Sequence, residues 1–227
     1  MTPPSFLRSL FPQRRRGEES DRPASEASPQ TAPRIRLIVG LGNPGGEHSH
    51  TRHNVGFWCV NRLGRRYGVP IKTHTSLVTM GQGLIEGSEV ILTKPRTYVN
   101  RSGEAVAALV RRYRVSPGEL LVVCDNLDLP VGAVRVRSQG GHGGHKGLQS
   151  IIKHLGIEDF PRIRIGIGRP VVDGEPAYDP EIIAEYVLSD PPIEERRALD
   201  EAVARAIDVV ACVMTEGLEA AMNQFNR

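Results

Sequence analysis

The chain has 227 residues, of which 39% are hydrophobic and 24% charged, and this composition is typical of a soluble globular protein. No apolar run approaches the ~20 residues that a membrane-spanning helix needs, so we expect no integral membrane protein. The three cysteines are scattered without a CxxC pair, which disfavours a structural zinc site and a disulfide framework and fits a reducing, cytoplasmic compartment.

The net charge of +3 conceals an uneven distribution along the chain. Residues 34–170 hold 20 Lys and Arg against nine Asp and Glu, whereas residues 171–227 hold four Arg against 13 acids. A middle segment with a net charge of +11 suggests a polyanionic partner. A soluble fold with an uneven surface charge is the alternative interpretation.

Residues 1–33 are predicted to be a disordered Pro-, Ser- and Arg-containing tail, and residues 34–227 to form one folded domain. The tail holds six of the 17 prolines and five serines, and such segments have too few apolar residues to form a core. Its first 17 residues carry four arginines and no acid, which is a weak sign of a transit peptide. Its prolines disfavour the amphipathic helix of such a peptide, so its role stays open.

The folded segment alternates between strand and helix patterns. In chain order we predict a buried strand at 35–41, a helix at 54–67, a hairpin of strands 78–85 and 90–93, a helix capped by Ser102 and ending at 113, a buried strand at 120–124, an edge strand at 133–137, a short helix at 147–155, a strand at 162–168, a long acidic helix at 193–214 and a last helix. This order predicts a single-domain α/β fold with a twisted mixed β-sheet and helices on both faces.

A glycine-rich loop, Gly40–Gly45 (GLGNPG), directly follows the first strand and formally matches the dinucleotide fingerprint GxGxxG. That fingerprint requires an acid about 20 residues further on, but no Asp or Glu lies between Glu47 and Glu86. We therefore interpret the loop as one that presents Asn43 at the carboxyl edge of the sheet, where α/β proteins keep their sites. A plain turn is the alternative.

Two titratable residues are candidates for acid–base chemistry. His53, in TRHN at the start of the first helix, is expected to be exposed and to titrate near neutrality, which suits a general base. Asp125 follows a buried strand in DNLD, and an acid there can hold an imidazole N–H and raise its basicity. An ordinary surface histidine and a turn acid are the alternatives, and spacing alone pairs neither Asp125 nor Asp128 with His53.

Two further loops carry ligand-binding residue types. In GGHGGHKG the glycines let the backbone approach a ligand and Lys146 adds charge near a helix start, although a flexible lid would look the same. His142 and His145 have no third ligand at metal spacing, so we expect no metal. The segment KPRTYVN, residues 94–100, could bind phosphate and stack on a base, or be an ordinary loop.

The chain lacks GxSxG, HExxH and a P-loop lysine. If it is a hydrolase, its nucleophile is therefore most simply a water molecule that a base activates.

Taken together, these segments resemble the bacterial-type peptidyl-tRNA hydrolase family. The matching stretches occur in the family's order and cover essentially residues 35–227: LIVGLGNPGGEH, TRHNVGFW, KPRTYVNRSGEAV, CDNLDLP, GGHGGHKGLQSII and FPRIRIGIGRP. The resemblance implies cleavage of the ester between a peptide and the 3′-terminal ribose of tRNA, which recycles tRNA after premature release from ribosomes. It also implies that no metal or cofactor is needed.

The resemblance further implies residue roles. His53 matches the base that activates water, and Asp125 the acid that orients and polarises that histidine. Asn43 matches the amide that distinguishes N-blocked aminoacyl groups from free aminoacyl-tRNA. Asn100 matches an amide that contacts substrate and tRNA, and Tyr98 is the aromatic residue two positions before it.

Two positions depart from the family's common pattern. His48 stands where the family often has Tyr, and Lys146 where it often has Asn. Both positions are assigned to contacts with tRNA or substrate rather than to bond cleavage. His48 can still stack weakly, and Lys146 exchanges an amide for a charge that suits phosphate.

The resemblance thus predicts a monomeric, cytoplasmic enzyme whose partner is the acceptor stem and 3′ end of peptidyl-tRNA. The acidic helix at 193–214 should lie away from the tRNA surface or flank it as a lid. The alternative is a non-catalytic RNA-binding protein of the same fold, of the type of a plant chloroplast intron-splicing factor. The intact His53, Asn43 and Asp125 argue against that alternative.

Overall fold

The computed structural model describes residues 34–227, and the predicted tail at 1–33 lies outside the described residues. The strands are β1 (Leu37–Gly40), β2 (Thr73–His74), β3 (Val78–Ile85), β4 (Ser88–Pro95), β5 (Leu120–Asn126), β6 (Val134–Arg137), β7 (Arg162–Gly166), β8 (Val171–Val172) and β9 (Glu175–Pro176). The helices are α1 (Val55–Arg66), α2 (Ser102–Tyr113), α3 (Lys146–Leu155), α4 (Pro180–Val187), α5 (Ile193–Thr215) and α6 (Leu218–Phe225). Within these residues, none of the helices combines the length and the apolar character that a membrane crossing requires.

Every predicted strand and helix is present, with ends that differ by at most two residues. The structure adds β2, the short hairpin β8–β9 and α4. Strands of two exposed residues carry no hydrophobic alternation, so periodicity could not reveal them. Helix α4 does carry a start signal, because the Asp179 side chain accepts hydrogen bonds from the amides of Glu181 and Ile182, and Pro180 is the first helical residue.

The predicted cap of α2 is wrong. Ser102 is the first helical residue rather than the cap, and its buried hydroxyl has no hydrogen-bond partner. A 3-10 turn, Val99–Arg101, runs directly into the helix, and the Ser102 amide donates to the Val99 carbonyl. Because this turn already provides a partner for the amide, the helix begins without a side-chain cap.

The main sheet has seven strands in the order β2-β3-β4-β1-β5-β7-β6. The pairs β1–β4, β1–β5 and β5–β7 are parallel, whereas β2–β3, β3–β4 and β6–β7 are antiparallel. This confirms the predicted mixed sheet, and β6 is an edge strand as predicted. The carboxyl ends of β4, β1, β5 and β7 meet at one edge of the sheet, where ligands bind in open α/β folds.

Helices cover both faces of the sheet, as predicted. Alternate side chains of one strand point to opposite faces, so Ile38 and Val123 belong to one core while Leu37 and Val122 belong to the other. Helices α1, α5 and α6 bury their apolar faces in the first core, and α2 and α3 bury theirs in the second. The acidic helix α5 is therefore an integral part of the core on the α1 face.

Two glycines bring α1 into direct contact with the sheet. A Cβ atom on Gly40 would lie 2.2 Å from the carbonyl oxygen of Gly56. One on Gly56 would lie 2.5 Å from the carbonyl oxygens of Leu41 and Val123. No side chain fits at either position, so backbone contact alone sets how close the start of α1 lies to the ends of β1 and β5.

Candidate active site

Three predicted site residues meet at the carboxyl edge of the sheet. Asn43 follows β1, Asp125 lies near the end of β5, and His53 lies in a 3-10 turn, Arg52–Asn54, that leads into α1. We call this segment the histidine turn. His53 is only 7% exposed, so the expected exposure of this histidine is wrong. The turn is buried because it lies between the sheet edge and residues that follow α4.

His53 and Asp125 are hydrogen-bonded through Nδ1 and Oδ1 at 2.7 Å. Burial lowers the pKa of His53, but the charge of Asp125 and this hydrogen bond outweigh burial and raise it. An ionised carboxylate only accepts hydrogen bonds, so the Nδ1–H of the neutral imidazole is the donor. The lone pair of the neutral ring is therefore at Nε2, which is the arrangement of an oriented general base.

His145 contacts the same carboxylate with the opposite tautomer. Its Nδ1 caps α3 and accepts hydrogen bonds from the amides of Gly147 at 3.0 Å and Leu148 at 3.3 Å. The ring hydrogen must then be at Nε2, which donates to Asp125 Oδ1 at 3.0 Å. Burial raises the pKa of Asp125, but the two histidines outweigh burial and hold that pKa well below its usual range.

Sequence spacing could not show that His145 lies beside His53 and Asp125. One ligand atom from each of these residues lies within 4.8 Å of the others, a spacing that a metal ion could bridge. However, a metal would need the Nε2 lone pair of His145, and that nitrogen carries the hydrogen because Nδ1 accepts two amides. The donor set fits a hydrogen-bonded triad better than a metal site.

The side chain of Asn43 has a fixed orientation. Its Oδ1 accepts the Val99 amide at 2.9 Å, which leaves Nδ2 as a donor available to a ligand. The Asn54 side chain binds both backbone polar groups of Asn43, accepting from the amide at 2.8 Å and donating to the carbonyl at 3.0 Å. Asn54 thereby joins the histidine turn to the Asn43 loop.

Asn54 and His145 are functional candidates that the sequence reasoning did not assign. Both lie inside motifs that it singled out, TRHN and GGHGGHKG. A side chain that binds the backbone of a loop 11 residues away leaves no spacing pattern of its own. Only the three-dimensional contacts distinguish these residues from their neighbours.

The remaining predicted residues lie at the surface of the site. Tyr98 is 60% exposed, and its ring lies edge-on to that of His48 with centroids 6.5 Å apart. Asn100 is exposed in the 3-10 turn that supplies the Val99 amide, and Lys146 is the exposed first residue of α3. Within residues 34–227, neither Asn100 nor Lys146 is hydrogen-bonded to the buried triad.

A second feature of the same molecule is a group of arginines on the edge strand β6 and its neighbour β7. Arg135 lies opposite Arg164, and Arg137 lies opposite Arg162. Intervening residues such as Val136 belong to the core on the α1 face, so these arginines lie on the face that α2 and α3 cover. We call them the arginine face.

The arginine face lacks acidic partners among the described residues. Arg162 donates to the carbonyls of Gly141 and Glu158, at 3.1 and 2.7 Å, and Arg164 has a buried Nε without a hydrogen-bond partner. Like charges directly opposite each other on neighbouring strands destabilise a sheet. Arg162 is fully buried, whereas Arg135, Arg137 and Arg164 reach solvent, and a group of unpaired cations at a surface is typical of one that binds an anion.

Comparisons with known proteins show which family the chain belongs to. The family described as peptidyl-tRNA hydrolase matches residues 37–227 of the chain. A peptidyl-tRNA hydrolase of Brevibacillus brevis is 42% identical over 192 residues, which are 85% of this chain and 98% of that protein. One of Chloroflexus aggregans is 46% identical over 191 residues, which are 84% of this chain and 98% of that protein.

Solved structures show the same similarity. The crystal structure of peptidyl-tRNA hydrolase from Acinetobacter baumannii is 40% identical to this chain and has a TM-score of 0.78. The match covers 85% of this chain and 94% of that chain. The sequence match and the shared fold both extend over most of the chain, so the chain belongs to the peptidyl-tRNA hydrolase family.

Proposed function

We propose that the protein hydrolyses the ester bond between a peptide and the 3′-terminal ribose of tRNA, with His53 as the general base. The observation that carries this proposal is the hydrogen bond from His53 Nδ1 to Asp125, which leaves the Nε2 lone pair for a water molecule. General base catalysis contributes about 10²- to 10⁴-fold to a rate. Because an ester is already an activated bond, such a base together with positioning of the substrate is a sufficient design.

The reaction balances with these groups alone. His53 Nε2 takes a proton from water as the water oxygen bonds to the ester carbonyl carbon, and Asp125 stabilises the imidazolium that forms. When the tetrahedral intermediate collapses, the bond to the ribose oxygen breaks and that oxygen receives the proton from His53. The products are a peptide acid and a tRNA with a free 3′-terminal ribose.

Asn43 is proposed to select N-blocked substrates. Since its Oδ1 accepts the Val99 amide, it offers Nδ2 as a donor. A peptide carbonyl accepts a hydrogen bond, whereas a free α-ammonium group is a cation with donors only. The donor therefore favours a peptidyl group over a free aminoacyl group.

The arginine face is proposed to bind phosphates of the acceptor stem. Arg137 is exposed, and Arg135 and Arg164 are partly exposed, without acidic partners in the described part of the chain. Guanidinium groups bind phosphate oxygens in a fork geometry. We propose that the 3′ end is contacted by Tyr98, His48, Asn100 and Lys146, with the exposed aromatic rings stacking on bases.

We further propose that the protein is a cytoplasmic monomer that needs no metal. Light scattering of the pure protein measures its mass in solution and so tests the monomeric state.

The decisive experiment measures release of N-acetyl-aminoacyl groups from tRNA in the presence of a chelator. Wild type should turn over, while His53→Ala should lose about 10²- to 10⁴-fold in kcat. His74→Ala is the matched control, since His74 is an exposed histidine on β2 and should keep wild-type activity. Unblocked aminoacyl-tRNA should be a poor substrate. Wild type that binds tRNA in a salt-sensitive manner without turnover would instead indicate a non-catalytic RNA-binding protein.

A further inference from the structure

The histidine turn carries three consecutive buried polar side chains, and each binds a different part of the protein. His53 binds Asp125 on β5, and Asn54 binds the backbone of Asn43. The third is Arg52, a guanidinium group with a side chain only 6% exposed. The proposed mechanism gives this buried cation, one residue before the base, no task.

The side chain and the backbone amide of Arg52 bind residues 186–195, which we call the α4–α5 corner. Its Nε and Nη2 donate to Glu195 Oε2 at 3.1 and 2.8 Å. Its Nη1 donates to Ser189 Oγ at 2.6 Å and lies 3.3 to 3.4 Å from three carbonyl oxygens of the corner. The Arg52 backbone amide donates to the Ser189 carbonyl at 3.2 Å, and the guanidinium lies 4.2 Å from the centroid of the Tyr186 ring.

The α4–α5 corner is itself anchored to the rest of the molecule. The Tyr186 hydroxyl donates to the Ile167 carbonyl, just beyond β7, at 2.6 Å. Glu195 lies in the first turn of α5, a helix whose buried face belongs to the core on the α1 face. Because both ends of the corner are fixed, an arginine bound to it is fixed as well.

We propose that Arg52 is a positioning residue that clamps the histidine turn onto the α4–α5 corner and thereby holds His53 against Asp125. The inference rests on the proposed role of His53 as the base. The inference gives the acidic C-terminal segment a part in the site, because the carboxylate of Glu195 neutralises the charge of Arg52. Misplacing a catalytic group by about 1 Å can cost on the order of 10²-fold in rate.

The clamp predicts a particular pH effect. The titratable groups that contact His53 are Asp125 from β5 and His145 from the start of α3. If the turn loosens, the contact with Asp125 weakens, and that contact is what raises the pKa of His53. The pKa of His53 then falls. Since the base acts in its unprotonated form, the acid limb of the pH profile of kcat/KM moves to lower pH. The value of kcat/KM at the plateau of that profile falls.

The test compares Arg52→Gln and Glu195→Gln with wild type. We expect kcat to fall about 10- to 100-fold in Arg52→Gln, a smaller fall in Glu195→Gln, little change in KM for the tRNA substrate, and an acid limb at lower pH. Arg52→Lys, which keeps the charge, should recover part of kcat. Arg62→Gln is the matched control, because Arg62 also reaches α5 from α1, donating to the Asp200 carbonyl, without flanking His53.

An NMR titration of the His53 ring provides a readout that needs no substrate. A lower His53 pKa in Arg52→Gln supports the clamp even if the proposed activity fails in the wild-type assay. A role in fold stability alone would lower the melting temperature while leaving the titration and the acid limb unchanged, and that result overturns the inference. If Arg52→Gln does not fold, Glu195→Gln and Ser189→Ala decide by the same readouts.

Discussion

At the scale of single residues, Asn43 offers a sharp test of selectivity. Asn43→Asp keeps an oxygen for the Val99 amide, which Oδ1 of Asn43 accepts at 2.9 Å, but replaces the Nδ2 donor with an acceptor. We expect hydrolysis of N-acetyl-aminoacyl-tRNA to fall on the order of 10²-fold, since the peptide carbonyl would then face a second acceptor. Discrimination against free aminoacyl-tRNA should shrink, because a carboxylate attracts the ammonium group. Measuring kcat/KM on both substrates checks this.

A control variant separates this effect from damage to the loop. Asn126→Asp changes an amide at the end of β5 whose Oδ1 accepts the Asp128 amide. It should leave the ratio of kcat/KM for the two substrates unchanged. If Asn43→Asp keeps the wild-type ratio of kcat/KM values, Asn43 does not recognise the blocked amino group.

The candidate residues were identifiable from the sequence, but their contacts were not. His53 and Asp125 are 72 positions apart, and only the parallel register of β1 with β5 brings their loops together. The expected exposure of His53 was wrong because a residue's burial depends on distant segments, here the α4–α5 corner. His145 was considered only as a metal ligand, since a ring that caps a helix and binds a carboxylate has no local signature.

At the scale of elements, the contact between α1 and the sheet edge determines where the histidine turn lies. Gly40→Ala would place a Cβ atom 2.2 Å from the Gly56 carbonyl oxygen. Helix α1 must then move outward, and we expect a loss of about 1–3 kcal/mol in the free energy of unfolding. The activity of the folded fraction should fall as well. Denaturant unfolding together with kcat measures both effects.

Gly46→Ala is the matched substitution, since a Cβ atom there meets nothing within 4 Å. It should leave the free energy of unfolding nearly unchanged. Equal stability of both variants would show that α1 does not depend on the backbone contact at Gly40.

Element by element, strong hydrophobic patterns predicted the fold well, and short or capped segments less so. The short, β-branched apolar run of β5 favours a buried strand, and the length and periodicity of α5 favour a helix. The start of α2 was misassigned because Ser102 is a good cap by residue type, while the preceding 3-10 turn already supplies the partner. Helix α4 was missed although Asp179 and Pro180 mark its start.

At the scale of the whole molecule, the sheet separates the arginine face from the acidic helix α5, although the arginines of α1 lie beside that helix. The arginine face lies on the side of the sheet that α2 and α3 cover, whereas α5 packs on the α1 side. Of the two positions expected for the acidic helix, this arrangement favours the one away from the proposed tRNA surface.

The salt dependence of tRNA binding tests the arginine face. Arg137→Gln should weaken binding to all tRNAs and reduce the slope of log K against log salt by about 1, because one phosphate contact is lost. Arg197→Gln, an exposed arginine of α5, is the control and should keep the slope. Binding measured across a series of salt concentrations checks both variants. An unchanged slope in Arg137→Gln would show that this arginine makes no phosphate contact in the complex with tRNA.

The opposed tautomers of the two histidines have a consequence for chemical modification. Acylating reagents such as diethyl pyrocarbonate attack an imidazole nitrogen that has an available lone pair. His145 has none, since Nδ1 accepts two amides and Nε2 donates to Asp125. His53 has one, at Nε2. Two imidazoles that share one carboxylate oxygen, with ring centroids 5.1 Å apart, therefore differ in nucleophilicity. Of these two rings, only His53 offers a nitrogen lone pair to an electrophilic inhibitor.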